Sequence, residues 1–205
     1  ADALLREHEA RLGREPPVPL QVLIESPAAL ARLDAIAAHP RVEALCFGLM
    51  DYVSSFEGAI GADALHGARQ FEHPLLVRAL TDISLAAHAH GKVAVHSVTL
   101  AIGDGTAAGE DARRAAQDFG YQRKWSIHPR QVEPIIAAFQ PPAQDVRRAG
   151  EILRAAQAAD WGPIRHADEL HDRASYRYWW HVLQQAWRTG VPLPPDVQAA
   201  FFGDA

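Results

Sequence analysis

Four short, continuous apolar runs, each followed by a stretch of helical periodicity, constrain this chain more than any other feature. The runs are "PLQVLIE", "EALCFGLMD", "KVAVHSV" and "KWSIH". A strand that reads as continuously apolar rather than alternating is one covered on both faces. The helical partners are clearly punctuated. Ser26 as N-cap and Pro27 at the first helical position open a helix to about Ala38, and a loop after "GLMD" leads to a helix from Pro74 to Gly91. A third runs from about Gly109 to Phe119 with Gly120 as its cap, and Pro129 opens a fourth. Repeated β/α units predict a parallel sheet flanked by helices. After "QPPAQ" the pattern changes to a long helix from about Pro142 to Asp160, a break at "DWGPIRHADELHD", and a helix carrying "SYRYWWHVLQQAW". This is the pattern of a C-terminal extension.

Composition narrows the function classes. With 48% hydrophobic and 22% charged residues the chain can bury an ordinary globular core. A net charge of −5 leaves no basic stripe for phosphates, so nucleic acid is not an expected partner. One cysteine, Cys46, excludes an intrachain disulfide and a Cys-based metal site, and suggests a reducing, cytoplasmic setting. No run is long and apolar enough for a membrane span, and no secretion signal is visible. The chain opens already in helical periodicity and without Met, as a fragment would.

In a parallel α/β sheet, functional groups gather at the carboxyl ends of the strands. That draws attention to Glu25, Asp51, Ser97 with His96, and His128. Glu25 and Asp51 are read as each ending its strand, in successive β/α units. Two such carboxylates repel unless a cation lies between them, and Mg²⁺ takes one or two carboxylates plus waters and substrate oxygens. The bland alternative is that both cap the following helices or pair with arginines.

Four segments carry a family resemblance: "LIESPAAL", "VEALCFGLMDYVSSFEGAI", "GKVAVHSV" and "GYQRKWSIHPRQVEPIIAAF". In order and spacing, over roughly residues 15 to 155, they resemble the second half of the citrate lyase β-subunit-like proteins of the HpcH/HpaI aldolase superfamily, which includes malyl-CoA lyases. The run "KWSIHPRQ" is the most specific of them. The resemblance implies a (β/α)₈ TIM barrel of which this chain holds roughly strands five to eight, since a complete barrel needs about 250 residues. On that reading residues 1–160 form the C-terminal half of the barrel and residues 161–205 a helical lid and oligomerisation extension.

The resemblance further implies a Mg²⁺-dependent carbon–carbon lyase or aldolase, with Mn²⁺ as a substitute ion and Glu25 and Asp51 as metal ligands. The substrate implied is a hydroxyacyl-CoA thioester such as citryl-CoA or malyl-CoA, cleaved or formed through an enolate. In the family the absent half supplies an arginine for the substrate. The text "HADELHDRASYRYWWHVL" resembles the lid, which puts the general acid/base at Asp172; the same residue is also a good N-cap for the helix running to about Thr189. Lids of this kind commonly cover a neighbouring subunit's site, so a homo-oligomer with lid exchange is the partner expected.

His128 is a candidate contact for substrate or CoA and equally a structural group. His88 and His90 face different sides of one helix, and no HExxH occurs, so no zinc site is predicted. Positions 176, 179, 180, 183 and 187 make an apolar helical stripe suited to a core or subunit interface. "HSVTLAIGDGTAAGED", with two glycines around Asp104, reads as a flexible loop rather than a phosphate cradle. Met50 stands where many relatives have an acid. That departure keeps two alternatives open: a non-catalytic assembly or regulatory subunit, or an aldolase of 2-keto acids that uses no CoA.

Overall fold

The computed structural model describes residues 2–103 and 105–203, and the chain divides into two compact units, Ala1–Phe139 and Gln140–Ala205. Asp104, at the centre of the glycine-bearing loop, lies outside the described residues. The first unit runs α1 (Asp2–Leu12), β1 (Leu20–Ile24), α2 (Pro27–Leu30), α3 (Leu33–Ala37), β2 (Val42–Phe47), α4 (Leu49–Ser54), α5 (Pro74–Ala89), β3 (Val93–His96), α6 (Thr106–Phe119), β4 (Arg123–Lys124) and α7 (Val132–Phe139). Short 3₁₀ turns lie at Ala62–Leu65, Gly67–Phe71 and Pro129–Gln131.

The four strands form one sheet in the order β1-β2-β3-β4, every pair parallel. Sequential strands that neighbour one another in parallel need a crossover each time, and the helices supply it. Ile24, Leu45, Phe47 and Ala94 meet Leu76, Leu80 and Ile83 of α5 in the main core. Each such aliphatic side chain contributes about 1.5–3 kcal/mol on burial. Across the sheet, Leu23, Cys46, Val95 and Arg123 fall in register on a single row. Cys46 and Val95 are buried there with Ala44, whereas Leu23 on the edge strand is half exposed.

Arg41, just before β2, is buried and ties α1 to the sheet. Its guanidinium donates to both oxygens of Glu9, at 2.6 and 2.9 Å, and pairs with Asp2; Glu9 also accepts the Val18 N–H at 2.7 Å. These contacts hold the Glu9 carboxyl down at about 2, the Arg41 hydrogen bonds contributing most.

Four details differ from the sequence expectation. The helix after Ser26 forms as two pieces, α2 and α3, because Arg32 at φ −113, ψ 14 leaves the helical region. The chain after Gly48 turns into α4 instead of continuing as strand and loop. α6 starts at Thr106 rather than Gly109, with Gly105 at φ 86 turning the chain into it; a Cβ at Gly105 would lie 2.2 Å from the Arg130 carbonyl oxygen. β4 is two residues long, because after Trp125 bonds the His96 carbonyl the chain is drawn from the sheet and the Ile127 N–H bonds Gln131.

The second unit holds α8 (Ala143–Ala158), the hairpin β5 (Ile164–His166) and β6 (Glu169–His171), α9 (Arg173–Thr189) and α10 (Pro195–Phe201). Its core is Ile152, Leu153, Tyr176, Leu183, Ala186 and Val197. The predicted stripe on α9 is present: Tyr176 and Leu183 are buried, Trp179 and Trp180 pack against the same core, and Trp187 stacks on Phe202 at 5.2 Å. Among the described residues, no helix is long and apolar enough to cross a membrane.

Candidate functional site

Glu25 directly follows β1, as expected. Its neighbour Ser26 takes over the capping work, accepting the Ala29 N–H at 3.2 Å, so Glu25 has no role in starting α2. Asp51 does not end a strand. It is the third residue of α4, one helical turn beyond the end of β2. Gly48 joins the two positions: its N–H donates to the Ile24 carbonyl at 3.0 Å, and a Cβ built on it would lie 2.7 Å from Glu25 Cβ and 3.0 Å from Oε2. The Glu25 side chain therefore crosses the bare backbone of Gly48, over the entry to α4.

Both carboxylates are exposed, and neither makes a hydrogen bond or ion pair among the described residues. Of the two bland roles, capping and arginine pairing, neither is realised. Two hard oxygen donors at one end of a parallel sheet, with solvent access for waters, suit a divalent ion such as Mg²⁺. No cluster of three or more His, Cys, Asp or Glu side chains able to hold a metal occurs among the described residues, so an ion here would draw its remaining donors from water and substrate.

Behind the strand ends lies a buried polar network that sequence reasoning did not assemble. Lys124 Nζ donates to the Ser97 carbonyl at 2.5 Å and to His96 Nδ1 at 3.1 Å. His96 is fully buried, stacked on Phe71 at 5.3 Å and edge-on to Tyr121. Burial, reinforced by the nearby ammonium, holds the His96 imidazole well below the usual range, so the ring is neutral and accepts at Nδ1. Burial likewise pulls Lys124 down to about 8, with Asp111 opposing. Thr99 donates to Asp111 at 2.5 Å. Gln131, with no exposed surface, donates to the Thr99 and Ala101 carbonyls at 2.8 and 2.9 Å and accepts from Ile127. A lysine opening the run "KWSIH" was the one available signal for Lys124. Its partners depend on register across two strands.

His128 caps the turn at Pro129–Gln131, its Nδ1 accepting the Arg130 N–H at 3.2 Å, which leaves Nε2 as the ring atom directed elsewhere. In the second unit Asp172 is the N-cap of α9: Oδ1 accepts the Ala174 N–H at 2.9 Å, and Ser175 Oγ accepts the Asp172 N–H at 3.1 Å in a capping box. The hairpin before it turns through Ala167 and Asp168, both at positive φ. His88 bonds the Gly120 carbonyl at 2.9 Å and His90 bonds Asp34 at 2.8 Å, ordinary surface roles as expected.

Parallel strands joined by helices, with Glu25 just past β1 and Asp51 in the helix after β2, make this a β/α chain, a class in which functional groups gather at the carboxyl ends of the strands. The sequence profile of the HpcH/HpaI aldolase/citrate lyase family matches residues 1–129, and the chain belongs to that family. It is 34% identical over 197 residues to the L-malyl-CoA/β-methylmalyl-CoA lyase of Cereibacter sphaeroides, covering 90% of this chain and 62% of that protein. A citrate lyase from Burkholderia xenovorans LB400 is 50% identical with a TM-score of 0.85, over 97% of this chain and 62% of that one. The citrate lyase β subunit of Mycobacterium tuberculosis, solved with oxaloacetate and magnesium, is 26% identical with a TM-score of 0.54, over 68% of this chain and 57% of that one. The chain thus spans about three fifths of the length of these relatives.

Proposed function

We propose that this chain supplies the metal-binding half of a Mg²⁺-dependent carbon–carbon lyase acting on a hydroxyacyl-CoA thioester, of the malyl-CoA or citryl-CoA type. The observation behind the proposal is the pair Glu25 and Asp51, exposed, without other partners, and brought to one end of the sheet by Gly48. The sheet would correspond to strands five to eight of a (β/α)₈ barrel, and a further four β/α units would cover the open side of β1 and β4 and bring the substrate-binding arginine.

Glu25 and Asp51 would hold the ion. The ion they would hold would supply Lewis-acid polarisation of a substrate carbonyl and positive potential for the charge that develops on carbon–carbon cleavage. Asp172, on the lid, would move the proton as general acid/base. To do so it must release the Ala174 N–H or use Oδ2, since Oδ1 is occupied in the cap. His128, whose Nδ1 is already engaged, would meet the CoA thioester through Nε2. Lid exchange between copies of the chain would bring Asp172 to a neighbour's carboxylate pair. The relatives named for malyl-CoA cleavage and the neighbour solved with magnesium support this reading.

The test is Mn²⁺ titration followed by electron paramagnetic resonance. Free Mn²⁺ signal should fall on adding the protein, and Glu25→Gln and Asp51→Asn should each restore it. Equal binding by both variants and the parent protein would remove these residues as ligands. Malyl-CoA and citryl-CoA cleavage is then assayed on the chain joined to the remaining barrel half.

A further inference from the structure

We propose that Ser97, held by Lys124, is a positioning residue for the Asp51 carboxylate. The proposal rests on Glu25 and Asp51 being the metal-binding pair. α4 is six residues long, too short to hold its own direction through internal bonds, and its N-cap is Gly48, which has no side chain to satisfy the orphan N–H groups of the first turn. The start of α4 is instead anchored from two strands. Gly48 N–H bonds the Ile24 carbonyl at the end of β1, and Leu49 N–H donates to Ser97 Oγ, 3.2 Å away at the end of β3.

Ser97 thus acts as a cap supplied from 48 residues along the chain, for the helix whose third residue is Asp51. Ser97 is itself buried, and its carbonyl is the closer of the two acceptors of Lys124 Nζ. A buried backbone carbonyl can be satisfied by any N–H, and placing an ammonium there carries a desolvation cost. What the ammonium adds is a single fixed point joining β4, His96 and Ser97. His96 cannot swing away, because Phe71 stacks on it and Tyr121 meets it edge-on. The chain of contacts from Lys124 through Ser97 to Leu49 sets where α4 begins, and so where Asp51 stands relative to Glu25.

The test uses the full chain and two readouts, Mn²⁺ affinity by electron paramagnetic resonance and amide hydrogen exchange compared between α4 and α5. Ser97→Ala should weaken Mn²⁺ binding about tenfold and speed exchange in α4 by a similar factor, leaving α5 unchanged. Ser97→Thr keeps the hydroxyl and should restore both. Lys124→Met, close in shape but without donors, should act in the same direction as Ser97→Ala and serves if that variant does not fold. Mn²⁺ affinity and α4 exchange both within twofold of the parent in Ser97→Ala and Lys124→Met would overturn the proposal. If Asp51→Asn leaves Mn²⁺ binding intact, the metal reading fails on its own account, and α4 exchange alone decides whether Ser97 is the anchor.

Discussion

Replacing Gly48 by Ala tests whether the Glu25 side chain needs the bare backbone beneath it. Gly48 has φ −91 and ψ 74, which an alanine can adopt, so the consequence is steric rather than conformational. The added methyl would sit 2.7 Å from Glu25 Cβ, 3.0 Å from Oε2 and 3.5 Å from Cα. Non-bonded carbons rest at about 3.5–4.0 Å, so the contact must open by roughly 1 Å. Glu25 Cβ is fixed to the end of β1 and cannot rotate away, and the opening must come from the strand end or from the start of α4. Overpacking of this kind costs about 1–3 kcal/mol. Mg²⁺ holds its oxygens at about 2.0–2.1 Å with little tolerance, so a shift of roughly 1 Å between Glu25 and Asp51 should weaken the site tenfold or more. Urea denaturation gives the first quantity from the shift in midpoint, and Mn²⁺ titration gives the second. A Gly48→Ala protein that binds Mn²⁺ within twofold of the parent would refute the placement of the ion between these two carboxylates, whatever its stability.

Other expectations follow from the network and the two units. Gln131→Leu leaves the Ile127 N–H and two carbonyls without their partner and should lower stability by about 1–3 kcal/mol, read as a lower urea midpoint at unchanged slope. Glu9, held at about 2 in the folded chain against the ordinary 4.5, contributes stability that is complete above about 4.5 and is lost as pH falls toward 2, because the unfolded chain takes up the proton first. Glu9→Gln should flatten that part of a stability-against-pH curve, and an unchanged curve would contradict the Arg41 pairing. Ala167 turns the β5–β6 hairpin at φ 47, a conformation that costs an alanine about 1–2 kcal/mol, so Ala167→Gly should raise the melting temperature of the second unit; a fall would count against the turn.

The alternation of strand and helix was legible because its signals are local. Pro27 and Pro74 sit at helix starts, Gly120 ends α6 at φ 72, and the apolar runs coincide with β1, β2 and β3. Glu25 was legible for the same reason, being one residue past its strand. Asp51 was half legible. The text "GLMD" continues an apolar run, and nothing in it says that the chain turns at Gly48 into a helix anchored on Ser97. The Leu49 N–H in that turn bonds the hydroxyl of Ser97, just past β3, which no window around residue 51 contains. Lys124 illustrates the same limit, since its neighbours His96 and Ser97 are set by the register between β3 and β4. His128 and Asp172 were read with two roles open, and each is seen in its capping role, which a chemical role must share. The stripe on α9 was legible because helical spacing is itself a statement about one face.

Anomalous diffraction at the manganese edge, from crystals of this chain soaked in Mn²⁺, tests the central claim most directly. The account predicts a single strong peak at about 2.0–2.3 Å from carboxylate oxygens of both Glu25 and Asp51. A peak bound to other residues, or none while both side chains are ordered, would contradict it.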